Sequence, residues 1–163
     1  MSMKEALNKA GYKGSGNPQR QQGYGRDRGQ PGGQTIDPPK IAFRANGQLR
    51  RELLTTEAEK WSDLLYDNNK NGVTATQLRN FFNEVKALQS RIEAGGFAVN
   101  EAMIGLLKSK VAYAYARAEK KRKIGFEYLK SMIEQGADLS KSEEAFNDFA
   151  LFFEAVMGFF KGR

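Results

Sequence analysis

Neither cysteine nor histidine occurs in the 163 residues, and each absence removes a class of chemistry. Without Cys there is no disulfide framework, no thiolate zinc site and no cysteine nucleophile. Without His, the usual general base near neutral pH and the commonest transition-metal ligand are both missing, so Ser–His and Cys–His arrangements are excluded. An enzyme built on this chain would have to run on carboxylates alone; the expectation is a chain without catalytic activity, cofactor or metal. Proline is missing after Pro39: Pro18, Pro31, Pro38 and Pro39 are all there are, and eight of the seventeen glycines share that stretch. Long apolar runs are also missing. None approaches the roughly 20 residues that cross a bilayer, and the opening MSMKEALNKAGYK lacks the apolar centre of a secretory signal. A soluble, cytoplasmic chain with no membrane partner is expected.

What is present is positive charge, unevenly spread. The whole chain carries 26 Lys or Arg against 19 Asp or Glu, a net +7. Residues 1–50 hold nine cations against three acids, and residues 51–163 hold seventeen against sixteen, so +6 of the excess lies in the first part and +1 in the second. Residues 11–33, GYKGSGNPQRQQGYGRDRGQPGG, have almost nothing to bury and cannot offset their ordering entropy. Residues 1–40 are therefore read as a flexible Gly/Arg/Pro-rich arm, and 41–163 as the folded domain. The Arg–Gly and Tyr–Gly content of the arm suits a nucleic-acid-binding tail and suits a solubilising linker equally well.

The folded part reads as helices. Leu53, Leu54, Ala58, Trp61, Leu64 and Leu65 make a short amphipathic helix ending near Tyr66, and DNNKNG over 67–72 is a loop by composition. Residues 72–92 carry the best-specified helix. Thr74 and Gln77 have capping-box spacing, and Leu78, Phe81, Phe82, Val85, Leu88 and Ile92 recur on one face. Arg79 and Lys86, seven residues apart, share a strip beside that face, while Arg91 falls on another side. Gly95 and Gly96 end this helix, and Asn100 is the expected N-cap of the next. Ile104, Leu107, Val111, Ala114 and Ala118 form its apolar stripe, and Lys110, Tyr113, Arg117 and Lys121 a second strip at spacings of three or four. Gly125 either breaks or kinks this helix, Gly136 closes the following segment, and Ser140 with Glu143 opens a last, phenylalanine-rich helix. About five helices, short connections and no convincing strand describe a compact antiparallel all-α bundle.

Local charge singles out one region. Between Lys108 and Lys123 there are seven basic residues and one acid, Glu119. Cations at one-turn intervals can follow a phosphate backbone without reading sequence; the same strip also fits a solvated helix face. The last helix carries more phenylalanine than one buried face needs, so Phe152, Phe159 or Phe160 is expected to serve a neighbouring subunit. Glu143, Glu144, Asp148 and Glu154 lack the His of a di-iron helix motif and are read as surface and helix-dipole groups.

Three stretches together resemble a known family. They are GVTATQLRNFFNEV at residues 72–85, LLKSKVAYAYAR at 106–117 and FNDFALFFEAVMGFF at 146–160. In order and separation they are similar to the small subunit of the type III-A CRISPR RNA-guided effector, the Csm complex. The resemblance implies a non-catalytic all-helical subunit stacked in several copies beside the backbone subunits, with basic faces lining the channel that holds the guide RNA–target RNA duplex. Cleavage would then belong to the backbone and large subunits. The resemblance carries RNA-binding roles onto Arg79, Lys108, Lys110, Tyr113 and Arg117. Helical geometry and charge add Lys86, Arg91 and Lys121. Two other readings stay open: a stand-alone helical nucleic-acid-binding protein whose arm supplies the affinity, and a carboxylate-dependent enzyme.

Overall fold

The computed structural model describes residues 36–67 and 71–161. The expected arm lies outside the described residues as far as residue 35, as does the middle of the 67–72 loop. Among the described residues there are five α-helices: α1 (Thr56–Tyr66), α2 (Ala75–Gly95), α3 (Phe97–Arg117), α4 (Lys123–Leu139) and α5 (Glu143–Phe159). Side chains link the helices to one another: Glu84 meets Lys110, Lys108 meets Asp138, and Gln89 meets Asn147. No helix among the described residues is long and apolar enough to cross a membrane.

α5 is the central element, packed by α1, α2 and α4. That explains its phenylalanines. Phe146, Phe149, Phe152 and Phe153 are all fully buried, each removing enough apolar surface to contribute about 1.5–3 kcal/mol. The expectation that Phe152 serves another subunit is therefore corrected: a helix covered on three sides needs aromatic residues around most of its circumference. Phe160 is half-buried and packs edge-on against Tyr66 at 6.1 Å, which leaves Phe159 exposed at the end of the helix.

The local signals at the start of α2 form as expected. Thr74 Oγ1 accepts from the Gln77 N–H at 3.2 Å, and Gln77 Oε1 accepts from the Thr74 N–H at 2.9 Å. Other boundaries differ, each for a physical reason. α3 begins at Phe97, directly after Gly96 at φ 91°, so Asn100 is not its N-cap. The Asn100 Nδ2 instead donates to the carbonyls of Arg91 (3.1 Å) and Gly96 (2.9 Å); it closes the end of α2 and ties the corner between the two helices. α5 is capped by Ser142, whose Oγ accepts from the Ala145 N–H, while Ser140 turns inward and donates to the Gly136 carbonyl at 2.7 Å.

Neither Gly125 nor Gly136 interrupts a helix. α3 stops earlier, at Ala118 with ψ 141°, and a 3-10 turn (Lys120–Arg122) leads into α4. No local breaker causes this. Lys123 Nζ folds back on the carbonyls of Tyr115 and Ala116, and Arg122 Nη1 donates to the Gly72 carbonyl at 2.7 Å. Gly125 lies buried inside α4, where a Cβ would stand 2.6 Å from the Gly72 Cα; its lack of a side chain lets the two backbones meet. Gly136 serves close approach in the same way, against the ring of Phe149.

No strand is expected from the sequence pattern, and here the structure adds a small hairpin. β1 (Arg44–Ala45) pairs antiparallel with β2 (Gln48–Leu49) around Asn46 (φ 51°) and Gly47 (φ 76°), the two left-handed residues that a tight hairpin turn requires. Arg44 fastens it to α5 through Nε–Oδ2 of Asp148 at 2.6 Å and Nη2–Oδ1 at 3.1 Å, which raises the guanidinium pKa above its usual value. The segment leading into it is held by Gln135 of α4, which accepts from the Ile41 N–H at 2.9 Å and donates to the Pro39 carbonyl at 3.0 Å.

Candidate nucleic-acid interface

α2 and α3 are joined by one residue, Gly96, so they lie side by side and leave a long groove between them. At the corner end a cleft of about 600 Å³ is lined by Asn83 and Arg91 of α2 and by Met103, Leu106 and Lys110 of α3. Two adjoining cavities continue it past Tyr113 to Arg117, Glu119 and Arg122 at the far end, and Asn80 lines all three. The two helices and the turn after them thus place four cations along one groove, Arg91, Lys110, Arg117 and Arg122, against two carboxylates, Glu84 and Glu119. Each acid has a lysine partner: Glu84 pairs with Lys110, and Glu119 pairs with Lys121 at 3.3 Å.

Four of the eight sequence-predicted residues meet here: Arg91, Lys110, Tyr113 and Arg117. Tyr113 is 63% exposed. Arg117 lies over its ring at 5.3 Å and donates from Nη1 to its hydroxyl at 2.7 Å, a cation–π stack that leaves the rest of the guanidinium edge toward solvent.

The other four lie elsewhere. Lys86 turns toward α5: its Nζ donates to Gln89 Oε1 at 2.7 Å, and Gln89 in turn donates to Asn147 Oδ1. Arg79, two turns earlier, shares that strip. Neither lines the α2–α3 groove. Lys108 points from the opposite side of α3 to Asp138 of α4, at 2.7 Å, and this hydrogen bond raises the ammonium pKa above its usual 10.5. Lys121 belongs to the 3-10 turn, not to α3, so the four-residue strip expected on one helix ends at Arg117. Arg91, which the helical angles separate from Arg79 and Lys86, proves to be the α2 cation beside Lys110.

Sequence reasoning missed Arg122, Glu84, Met103 and Leu106. Arg122 lines the groove because α3 ends early and the chain turns back. Met103 and Leu106, with Val99, continue the outward strip of Lys110, Tyr113 and Arg117: positions 99, 103, 106, 110, 113 and 117 alternate by four and three, the spacing of a helix seam. Val99 is 80% exposed, Leu106 42% and Met103 36%. α3 therefore carries two apolar stripes, one buried through Ile104, Leu107 and Val111 and one open at its N-terminal half.

This arrangement suits anion binding. Of the four carboxylates weighed for metal chemistry, two are committed to the fold: Asp148, expected at the surface, is buried and, with Glu144, pairs with Arg44. Among the described residues no group of three or more potential ligands is set to hold a metal ion.

Compared with known protein families, the chain matches the model described as Csm2 Type III-A over residues 48–162. Neither a curated protein nor a solved structure matches it.

Proposed function

The chain belongs to the Csm2 family, the small subunit of the multi-subunit type III-A CRISPR effector, and from that membership we propose that it is a non-catalytic subunit holding the guide RNA–target RNA duplex by its backbone. The observation that supports this best is the α2–α3 groove, where Arg91, Lys110, Arg117 and Arg122 open onto one surface beside the exposed ring of Tyr113. Cations arranged this way contact phosphate oxygens and give affinity without base readout. Guide pairing supplies the sequence information, as in RNA-guided DNA effectors. Arg79 and Lys86 form a second, smaller basic surface toward α5. Lys108, engaged by Asp138, takes a lesser part, and Lys121 stands at the groove's far rim. The absence of His and Cys agrees with a role in which backbone and large subunits carry the chemistry. The open strip Val99–Met103–Leu106 provides an apolar contact for a neighbouring subunit or another copy in a stacked filament.

The test is a charge reversal at both central cations. Lys110→Glu with Arg117→Glu should weaken binding to RNA duplexes of unrelated sequence by the same factor. It should also flatten the dependence of log K on log salt by about two, one for each phosphate that is no longer neutralised. A folded double variant with the wild-type slope would refute the groove assignment.

A further inference from the structure

Lys110 does not wait in the groove with a free ammonium. Its Nζ is paired across the two helices with Glu84 Oε2, and both side chains are 43% exposed. Glu84 is also the one acid among the described residues lining the two cavities that flank Lys110; their other α2 contributions are neutral or, at Arg91, positive. A carboxylate that bonds the central cation of a polyanion site is an internal substitute for the ligand. The pair is solvent-screened, so it exchanges readily. Even so, Glu84 is fixed to a helix, and a phosphate that takes Lys110 must come to rest close to the displaced carboxylate.

We propose that Glu84 is a competing anion built into the groove: RNA binds by exchanging phosphate for this carboxylate on Lys110, and Glu84 thereby lowers affinity and raises the phosphate density a ligand needs. This rests on the groove being the RNA surface. Isolated phosphates engage Lys110 alone and compete poorly with Glu84. A duplex reaching from Arg91 to Arg117 recovers the loss at its other contacts, so the acid weakens casual anion binding more than the intended complex.

The experiment uses the full-length chain and a fluorescently labelled RNA duplex of arbitrary sequence, followed by anisotropy across a salt series. It compares wild type, E84Q, K110Q and E84Q/K110Q, with folding verified by circular dichroism. Both positions are exposed, so the fold should persist. E84Q should bind about two- to fivefold tighter than wild type at low salt, the range of an exposed ion pair, and K110Q should bind more weakly. The double variant, neutral at the pair as wild type is, should return close to wild-type affinity. E84Q equal to or weaker than wild type overturns the inference, the weaker result meaning that Glu84 positions Lys110. If K110Q weakens binding while E84Q leaves it unchanged, the groove stands and only the role of Glu84 falls. If neither K110Q nor the Lys110/Arg117 reversal has any effect, the groove reading itself fails, and this inference with it.

Discussion

Two helical glycines with opposite surroundings offer a sharp test of how the core is packed. A Cβ built on Gly136 would stand 2.1, 2.4 and 2.5 Å from three ring carbons of Phe149, so the ring would have to retreat by more than about 1 Å to restore van der Waals contact. It has nowhere to go. Phe149 is fully buried, stacked on Phe43 at 6.3 Å and meeting Phe146 and Phe153 edge-on at 6.2 and 6.1 Å. Alanine is favoured over glycine inside a helix by about 1 kcal/mol, but overpacking a close-packed core costs about 1–3 kcal/mol and sometimes more. The clash is severe, so the upper part of that range applies and Gly136→Ala should destabilise by about 1–2 kcal/mol net. Gly105 on α3 has open space where a side chain would begin, with nothing within 4 Å, so Gly105→Ala should keep the propensity gain and stabilise by about 0.5–1 kcal/mol. The two variants should therefore melt roughly 10 °C apart, on either side of wild type. Urea and thermal unfolding can be followed by far-UV circular dichroism and by the fluorescence of the single tryptophan, Trp61, which is buried edge-on to Tyr128. A Gly136→Ala protein as stable as wild type would refute the tight α4–α5 contact.

Further outcomes follow from the corner, the arm and the charges. Asn100→Ala removes two hydrogen bonds that close the end of α2 and should lower urea-unfolding stability by about 0.5–1.5 kcal/mol, and Asn100→Asp, which cannot donate to those carbonyls, should not restore it. Deleting residues 1–40 should leave most of the RNA affinity in place; loss of nearly all of it would favour the arm as the binding element. Stability should be level from about pH 6 to pH 9, because there is no His and, among the described residues, the groups with displaced pKa values are Arg44, Arg50 and Lys108, each raised by the acid that it hydrogen-bonds. A raised pKa contributes stability below the unfolded value, 10.5 for Lys108, that is lost as pH climbs through the folded value. An unfolding curve that shifted steeply inside that window would contradict these assignments.

The features legible in the sequence are those written in local, repeating chemistry. Leu78, Val85, Leu88 and Ile92 mark the buried face of α2 by period alone, and Thr74 with Gln77 marks its start. The features that escape depend on partners distant in the chain. Gly125 and Gly136 look like helix breakers in sequence, yet each is a place where another element comes too close for a side chain. Asn100 has the composition of an N-cap, but the chain turns so sharply at Gly96 that its amide reaches back to α2. Asn46–Gly47 is a turn dipeptide, but strands of two residues are too short to show any alternation beside it. At the groove, the basic half of the α3 strip stands out by its charge, while Val99, Met103 and Leu106 at the same spacing carry no charge to mark them. Whether Arg79 or Arg91 faces Lys110 depends on which side of α2 receives α3, and that is set by the one-residue corner.

Lys123, the first residue of α4, has an effect beyond the turn it closes. A helix ends in carbonyl groups that together present about half a negative charge, and the C-terminus of α3 lies beside Arg117, at the end of the groove richest in cations. By bonding the carbonyls of Tyr115 and Ala116 and resting on the Tyr115 ring at 4.6 Å, the ammonium of Lys123 quenches that terminal dipole. The field over this end of the domain is then set chiefly by its side chains, Arg117 and Arg122 with Glu119 between them, and an approaching polyanion meets less opposing backbone charge. One lysine spent on the fold in this way makes its more exposed basic neighbours more attractive to phosphate.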